Sequence, residues 1–264
     1  MNMNNTPLIL TYTEDELWRE FINFQEAAGN TNMYSTHNRI VNYFQQDYMF
    51  RVERMLWEYP EIQNKLIANR LKYTDGDITV SKILTGFKVS GIYKGYSGFN
   101  PLLFKFFCQK YNLRNKVVYD PCGGWGHRLL GGGLLRGYIY NDISTPIADN
   151  VQKIVNFFDI PGVTIYNQDC LSFVPSEHYD AVFTCPPYYN IESYENKPFV
   201  DMTEFCHFLD YIISLSNLCG IVMKESLMHR SDYAEKIILH KGKSHLNKEK
   251  SIECLYVFDK TNKI

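Results

Sequence analysis

A mostly parallel α/β sheet preceded by a helical region is the fold class this 264-residue sequence predicts. From Lys116 onward, short apolar runs alternate with stretches of helical periodicity, the pattern of strands joined by crossover helices. The first of those runs leaves through the glycine-rich turn Asp120-Pro121-Cys122-Gly123-Gly124-Trp125-Gly126. Turns of that kind let backbone approach a ligand closely between a strand and a helix. Ahead of Lys116 the apolar residues recur at helical spacing.

Taken in order, Thr13-Glu14-Asp15-Glu16 reads as a capping box opening a helix with Leu17, Phe21 and Phe24 on one face, closed by Gly29. A second periodic run carries Ile40, Phe44, Tyr48, Val52, Met55 and Leu56 until Pro60 interrupts it. Residues 1–95 are therefore expected to form a helical appendage, a region with the potential to contact DNA, in which the aromatics serve as core packing. Residues 96–264 form the α/β domain. Its strands are expected at Lys116–Tyr119, Gly137–Asn141, Val163–Asn167, Ala181–Thr184 and Ile221–Lys224, with a buried closing strand at Glu253–Phe258. Between them, Thr145 and Pro146 start a helix with Ile147, Val151, Ile154, Val155 and Phe158 on its buried stripe. Another helix spans Asp201 to Leu218 and buries Phe205, Phe208, Leu209 and Ile212.

Composition narrows the classes of function. The seven cysteines contain no C-x-x-C pair, which argues against a disulfide framework and a zinc site, so reduced thiols and no metal are expected. No uninterrupted apolar stretch is long enough to span a membrane. The opening residues lack the regions of a signal peptide, so a cytoplasmic location is expected. A net charge of −2 means that any polyanion would have to meet a local basic face. Arg230, Lys236, Lys241, Lys243, Lys248 and Lys250 form one candidate, and Arg39, Arg51, Arg54, Arg70 and Lys72 another, each equally readable as solvated surface.

The run Tyr179–Thr184 ends in Cys185-Pro186-Pro187-Tyr188. Two prolines cannot continue a strand, but they make a rigid shelf with carbonyls turned outward, beside an aromatic face suited to a planar ring. Together with the glycine-rich turn, this stretch resembles the signature motifs of the S-adenosylmethionine-dependent amino-methyltransferases that modify exocyclic nitrogens of DNA bases. In that family the cofactor motif reads D-P-F-x-G-x-G and the catalytic motif (D/N/S)-P-P-(Y/F/W). Here Cys122 stands at the Phe position, Gly124 and Gly126 are the paired glycines, and Cys185 replaces Asp, Asn or Ser. Phage-borne members are similar in their Gly-Trp-Gly and in the aromatic residues after Pro-Pro-Tyr. The resemblance covers about the last two thirds of the chain.

The resemblance implies a Rossmann-like, class I methyltransferase sheet of seven strands with S-adenosylmethionine as cofactor and no metal. It implies that Asp120, Gly124 and Gly126 line the methionine part, Asp142 the ribose and Asp169 the adenine ring, with Cys122 and Cys170 also among the cofactor-binding residues. Ser97-Gly98-Phe99-Asn100-Pro101 resembles the segment that closes over the cofactor, with Phe99 and Asn100 in contact, although an ordinary Asn-Pro helix start reads the same way. Strand-end acids such as Asp142 and Asp169 also serve simply to cap loops. Cys185, Pro186, Pro187 and Tyr188 would be catalytic: the first two offer hydrogen-bond acceptors to the amino group, and Tyr188 stacks on a base flipped from duplex DNA or taken from a single strand. Tyr189, Asn190, Glu192, Tyr194 and Glu195 would form a loop over the substrate.

Sulfur accepts hydrogen bonds weakly, so Cys185 leaves three readings open: a substitute for Ser, an attacking thiolate, or the mark of a binding protein without turnover. Adenine and cytosine both remain open as targets. RNA or a protein glutamine is the alternative acceptor.

Overall fold

The computed structural model describes residues 7–32, 38–72, 77–93, 98–189, 199–239 and 252–261. The expected capping box opens α1 (Glu14–Glu26): the Thr13 amide donates to Glu16 Oε2 at 2.9 Å and the Glu16 amide to Thr13 Oγ1 at 3.2 Å. The helix ends at Glu26 rather than at Gly29. Gly29 instead lies against α6 (Pro101–Lys110), where a Cβ would stand 2.3 Å from the Phe106 amide nitrogen. The second periodic run is two helices, α2 (Arg39–Met49) and α3 (Arg51–Trp57), divided at Phe50, and Met55 on it is exposed. Pro60 begins α4 (Pro60–Leu71), where its missing amide costs nothing. α5 (Val80–Val89) follows.

Beyond α6 the chain alternates β1 (Val117–Asp120), α7 (His127–Leu130), β2 (Gly137–Asn141), α8 (Thr145–Phe157), β3 (Val163–Tyr166), β4 (Ala181–Thr184), α9 (Met202–Ser214), β5 (Leu218–Lys224), β6 (Glu235–Ile238) and β7 (Glu253–Asp259). The seven strands form one sheet in the order β3-β2-β1-β4-β5-β7-β6. β1 to β5 are mutually parallel where they pair, and β7 lies antiparallel to both β5 and β6. The seven-stranded sheet implied by the resemblance is thus present.

Several boundaries differ from expectation, each for a local reason. β5 starts at Leu218, not Ile221, because it pairs with β7 from Leu218↔Asp259 to Lys224↔Glu253, and α9 accordingly stops at Ser214. Ser144, not Thr145, is the N-cap residue of α8, and the Thr145 hydroxyl donates instead to Asn167 Oδ1 at 2.6 Å. β6 lies inside the stretch read as a basic surface. There Arg230 is paired with Asp210 and Asp232, and Lys236 with Glu225. Lys241, Lys243, Lys248, Lys250, Ser97, Asn190, Glu192, Tyr194 and Glu195 lie outside the described residues.

Alternation along the strands builds two cores. Val118, Tyr138, Tyr140, Ala181 and Phe183 face α1, α2, α6 and α8, while Tyr119, Ile139, Val182 and Ile221 face α9. On the first face, Phe21 of α1 stacks on Phe158 at 4.5 Å, and Trp18 meets the same ring edge-on at 5.0 Å. The aromatics of α1 and α2 therefore pack on the core, Phe24 buried and Trp18, Phe21, Tyr43, Phe44 and Tyr48 half-buried; full burial of a side chain such as Phe24 contributes about 1.5–3 kcal/mol. A third cluster joins Leu8 and Leu10 to Trp57, Leu66, Ile83 and Phe87. Within the helical region, then, α1 and α2 share the sheet's core and α3 to α5 have their own. No helix among the described residues is long and apolar enough to cross a membrane.

Candidate active site

In this strand order, β2 and β3 run off one side of β1 while β4 and β5 run off the other. The crevice at the carboxyl ends of β1 and β4 is where open α/β sheets bind ligands, because the loops there diverge. Asp120 and the glycine turn leave the tip of β1, and Cys185 leaves the tip of β4.

The turn is shaped by a near collision. A Cβ on Gly123 would stand 2.1 Å from the Tyr140 ring, and the Tyr140 hydroxyl donates to the Gly124 carbonyl at 2.7 Å. Gly126 has φ of +87°, a conformation other residues resist, and its missing Cβ makes room for Val151. At Gly124 nothing stands within 4 Å of where a Cβ would be, so the backbone there faces open space. Its amide donates to Asp142 Oδ2 at 2.8 Å, and the Ser144 amide to Asp142 Oδ1 at 2.9 Å. Burial pushes the Asp142 carboxyl above its ordinary range against the pull of these two amides. Asn141, fully buried, clamps the neighbouring loops: its Nδ2 donates to the carbonyls of Pro121 and Gln168, and its Oδ1 accepts from the Gln168 amide.

Beneath the turn lies a buried ion pair. Arg128 Nε donates to Asp120 Oδ2 at 2.6 Å, and the Tyr138 hydroxyl donates to the same oxygen at 2.5 Å. A further guanidinium nitrogen donates to Asp120 Oδ1 and to the Cys122 carbonyl. Burial opposes the charge of Arg128, but Asp120 and Tyr138 outweigh it and hold the guanidinium's pKa above its ordinary value. Asp120 is therefore fully buried and engaged by Arg128 and Tyr138, which anchors the tip of β1. The guanidinium lies 5.0 Å from the Phe99 ring centre, which places Phe99 beside the glycine turn. Asn100 does something else: its amide donates to Asn32 O and Asn30 Oδ1 and its oxygen caps α6 at Leu102, so the whole side chain ties the strand-like segment near residue 30 to α6.

His127, just after Gly126, is 2% exposed, and its Nε2 has no hydrogen-bond partner among the described residues. Burial, aided by Arg128, lowers its pKa to about 3, so the imidazole is neutral. Tyr119 Oη and Thr184 Oγ1, at the tips of β1 and β4, are likewise buried without partners among the described residues. Buried polar atoms without protein partners call for an explanation by water or ligand.

At β3, the Asp169 carboxylate is exposed and turns its loop by accepting from the Leu171 amide at 3.0 Å. Cys170 beside it brings its Sγ to 3.9 Å from that of Cys122.

On the β4 side, Pro186 is buried and Pro187 half-buried. The Cys185 thiol points at the Tyr188 hydroxyl, 3.7 Å away. Tyr188 departs from expectation: its ring is 7% exposed and belongs to the core over α9 with Phe199, Phe205 and Phe208. Buried among these apolar residues, Tyr188 leaves little surface exposed for stacking on a base. Tyr189, next along, is half-buried, its ring centre 6.4 Å from that of Phe205.

The structure thus gathers Gly124 with Asp142, Cys122 with Cys170, Phe99 with Arg128, and Cys185 with Tyr188. Sequence reasoning missed Gly123, Tyr138, Tyr140, Asn141, His127 and Arg128. The pair His127-Arg128 directly after Gly-Trp-Gly, at a helix start, was the signal that could have found two of them.

The strand order, with its single antiparallel hairpin arm at β7, decides the architecture. It is the class I methyltransferase fold. No protein-family model matches the chain, and no curated protein does. Among solved structures, a Listeria monocytogenes protein described as a class I S-adenosylmethionine-dependent methyltransferase is similar over 92% of this chain and 86% of its own, at 13% identity and a TM-score of 0.48. A protein of Pyrococcus horikoshii described as an RNA methyltransferase is similar over 60% of this chain and 83% of its own, at 16% identity and a TM-score of 0.44. TrmN from Thermus thermophilus is similar over 60% of this chain and 48% of its own, at 13% identity and a TM-score of 0.44. Likenesses this distant carry nothing about substrate, and the fold rests on the topology itself.

Proposed function

We propose that this chain is an S-adenosylmethionine-dependent methyltransferase whose acceptor is the exocyclic amino nitrogen of a nucleobase in DNA, adenine N6 or cytosine N4. The observation that carries this reading is the meeting, at the switch point of a class I sheet, of the open Gly124 cradle and the Cys185-Pro186 tip. The donor set fits the cofactor: open backbone at Gly124, a carboxylate at the β2 tip and an exposed carboxylate at the β3 tip. S-adenosylmethionine supplies a methyl group on a sulfonium and carries its own leaving group. Asp142, already oriented by two amides, has remaining lone pairs for ribose hydroxyls, and Asp169 is free to accept from the adenine amino group.

The amino nitrogen of a base is a weak nucleophile because its lone pair is delocalised into the ring. Acceptors aimed at its two hydrogens favour a pyramidal nitrogen, and the charge they stabilise develops in the transition state. The Cys185 sulfur and the Pro186 carbonyl take that role. The Tyr188 hydroxyl, 3.7 Å from the Cys185 sulfur, supports it.

A second reading, a protein glutamine as acceptor, draws on the ion pairs that neutralise Arg230 and Lys236. A planar amide needs no phosphate contacts.

Labelled S-adenosylmethionine offered with DNA, RNA and protein separates these. We expect label in DNA and N6-methyladenine or N4-methylcytosine among its nucleosides by mass spectrometry; label confined to protein would establish the second reading, and no binding by calorimetry would remove both. Cys185→Ser should keep turnover within about tenfold if the sulfur only accepts a hydrogen bond, and abolish it if a thiolate attacks carbon.

A further inference from the structure

We propose that Cys122 and Cys170 form a reversible disulfide, an oxidative modification site that ties the loop after β1 to the loop after β3. Their Sγ atoms lie 3.9 Å apart although the residues are 48 positions apart in sequence. Both residues are partly exposed, which gives a small oxidant access to the pair. Of the other cysteines, Cys108, Cys219 and Cys254 are buried, Cys185 faces Tyr188, and Cys206 sits on α9.

A disulfide requires the sulfurs to close to about 2.0 Å. Cys122 and Cys170, the residues that move, lie in the loops after β1 and β3 rather than in the strands. The loops are already held together from below, because the one amide of Asn141 donates both to the Pro121 carbonyl, next to Cys122, and to the Gln168 carbonyl, two residues before Cys170. Preorganisation of this kind raises the effective concentration of one thiol at the other.

The oxidant is a small-molecule disulfide such as oxidised glutathione. Cys122 is the poorer first nucleophile, since the hydrogen bond with Cys170 and then burial push its thiol well up. Cys170 therefore loses its proton and attacks one sulfur of oxidised glutathione. A mixed disulfide forms, and one glutathione thiolate leaves and takes a proton. The Cys122 thiolate then attacks the Cys170 sulfur and expels the second glutathione. Two protein thiols give up two electrons and two protons, and one oxidised glutathione becomes two reduced ones.

The consequence for ligand rests on the proposed function, with Cys122 and Cys170 on the loops after β1 and β3 that would border the cofactor hollow. Drawing the two loops together narrows that hollow. By linkage, the factor by which oxidation weakens cofactor binding is the factor by which bound cofactor disfavours oxidation.

The test equilibrates the full chain in glutathione buffers of graded ratio, traps free thiols and maps crosslinks by non-reducing peptide mass spectrometry. We expect one intramolecular bond, Cys122 to Cys170, reversed by dithiothreitol, lost in Cys122→Ser and in Cys170→Ser, and kept in Cys206→Ser. In the same buffers the oxidised chain should bind S-adenosylmethionine at least tenfold more weakly than the reduced chain. No crosslink between these two, or crosslinks spread over all half-exposed cysteines, would overturn the proposal, as would a bond that leaves the affinity unchanged. A reduced chain that binds no S-adenosylmethionine would overturn the proposed function instead, and the mapped bond would still decide the modification site.

Discussion

The two sides of the crevice are built from different materials. On the β1-β2-β3 side, the tips are stitched by hydrogen bonds: Asp142 to two amides, Asn141 to three backbone groups, Arg128 to Asp120 beneath. On the β4-β5 side, the tip is braced by rings, with Tyr188, Phe199, Phe205 and Phe208 packed together and one sulfur-to-hydroxyl contact at Cys185. Directional bonds in a buried setting fix positions closely and are costly to break one at a time. Ring packing tolerates volume-conserving rearrangement more readily.

The contrast is sharpest at the ion pair. Arg128→Met alone should cost about 3–5 kcal/mol in urea unfolding, because Asp120 is left charged and buried, and adding Asp120→Asn should restore much of it. A cost near zero would mean that the stitched side is not held by this pair. Gly123→Ala should cost about 1–3 kcal/mol, since a Cβ 2.1 Å from the Tyr140 ring forces the turn and ring apart. The loss should be visible both in thermal melting and in weakened S-adenosylmethionine binding.

Protonation gives a third test. The folded state holds His127 neutral down to about pH 3, whereas the unfolded chain takes up a proton near its ordinary value of 6.5. Between those values the unfolded state binds more protons, so stability is full above about 6.5 and falls on acidification by up to about 1.4 kcal/mol per pH unit from this group. His127→Asn should flatten that slope between pH 6 and 4, as read from urea midpoints. The smallest effect belongs to the ring-braced side. Tyr188→Phe keeps the packing and removes one hydroxyl, so stability should change by less than about 1 kcal/mol, while turnover falls and cofactor affinity stays put.

The elements that could be read from sequence were those with local signals. The Thr13 capping box, the stripe Ile147, Val151, Ile154 and Phe158, and the strands Gly137–Asn141 and Ala181–Thr184 all carry periodicity or capping within a few residues. β6 was missed because its four residues, two charged followed by two apolar, carry neither the alternation of a strand nor a turn signal, and its pairing with β7 is settled by residues well beyond it in sequence. The same limit applies to the site. Motif spacing put Gly124, Asp142, Asp169 and Cys185 at strand tips, but it could not show that Arg128 occupies Asp120 or that Asn100 is used up on Asn30 and Asn32. Nor could it show that Tyr188 turns inward, since a tyrosine after two prolines is compatible with either direction and α9 makes the choice.

Gln45 of α2 reaches across to the glycine turn, where its amide donates to the Trp125 and Ile147 carbonyls and its oxygen accepts from Asn150. The turn is therefore finished by a side chain that lies 80 residues upstream of Trp125. Anyone trimming the chain to its α/β portion, or swapping its front end for that of another protein, would be removing a supporting peg from under the cradle as well as a set of helices.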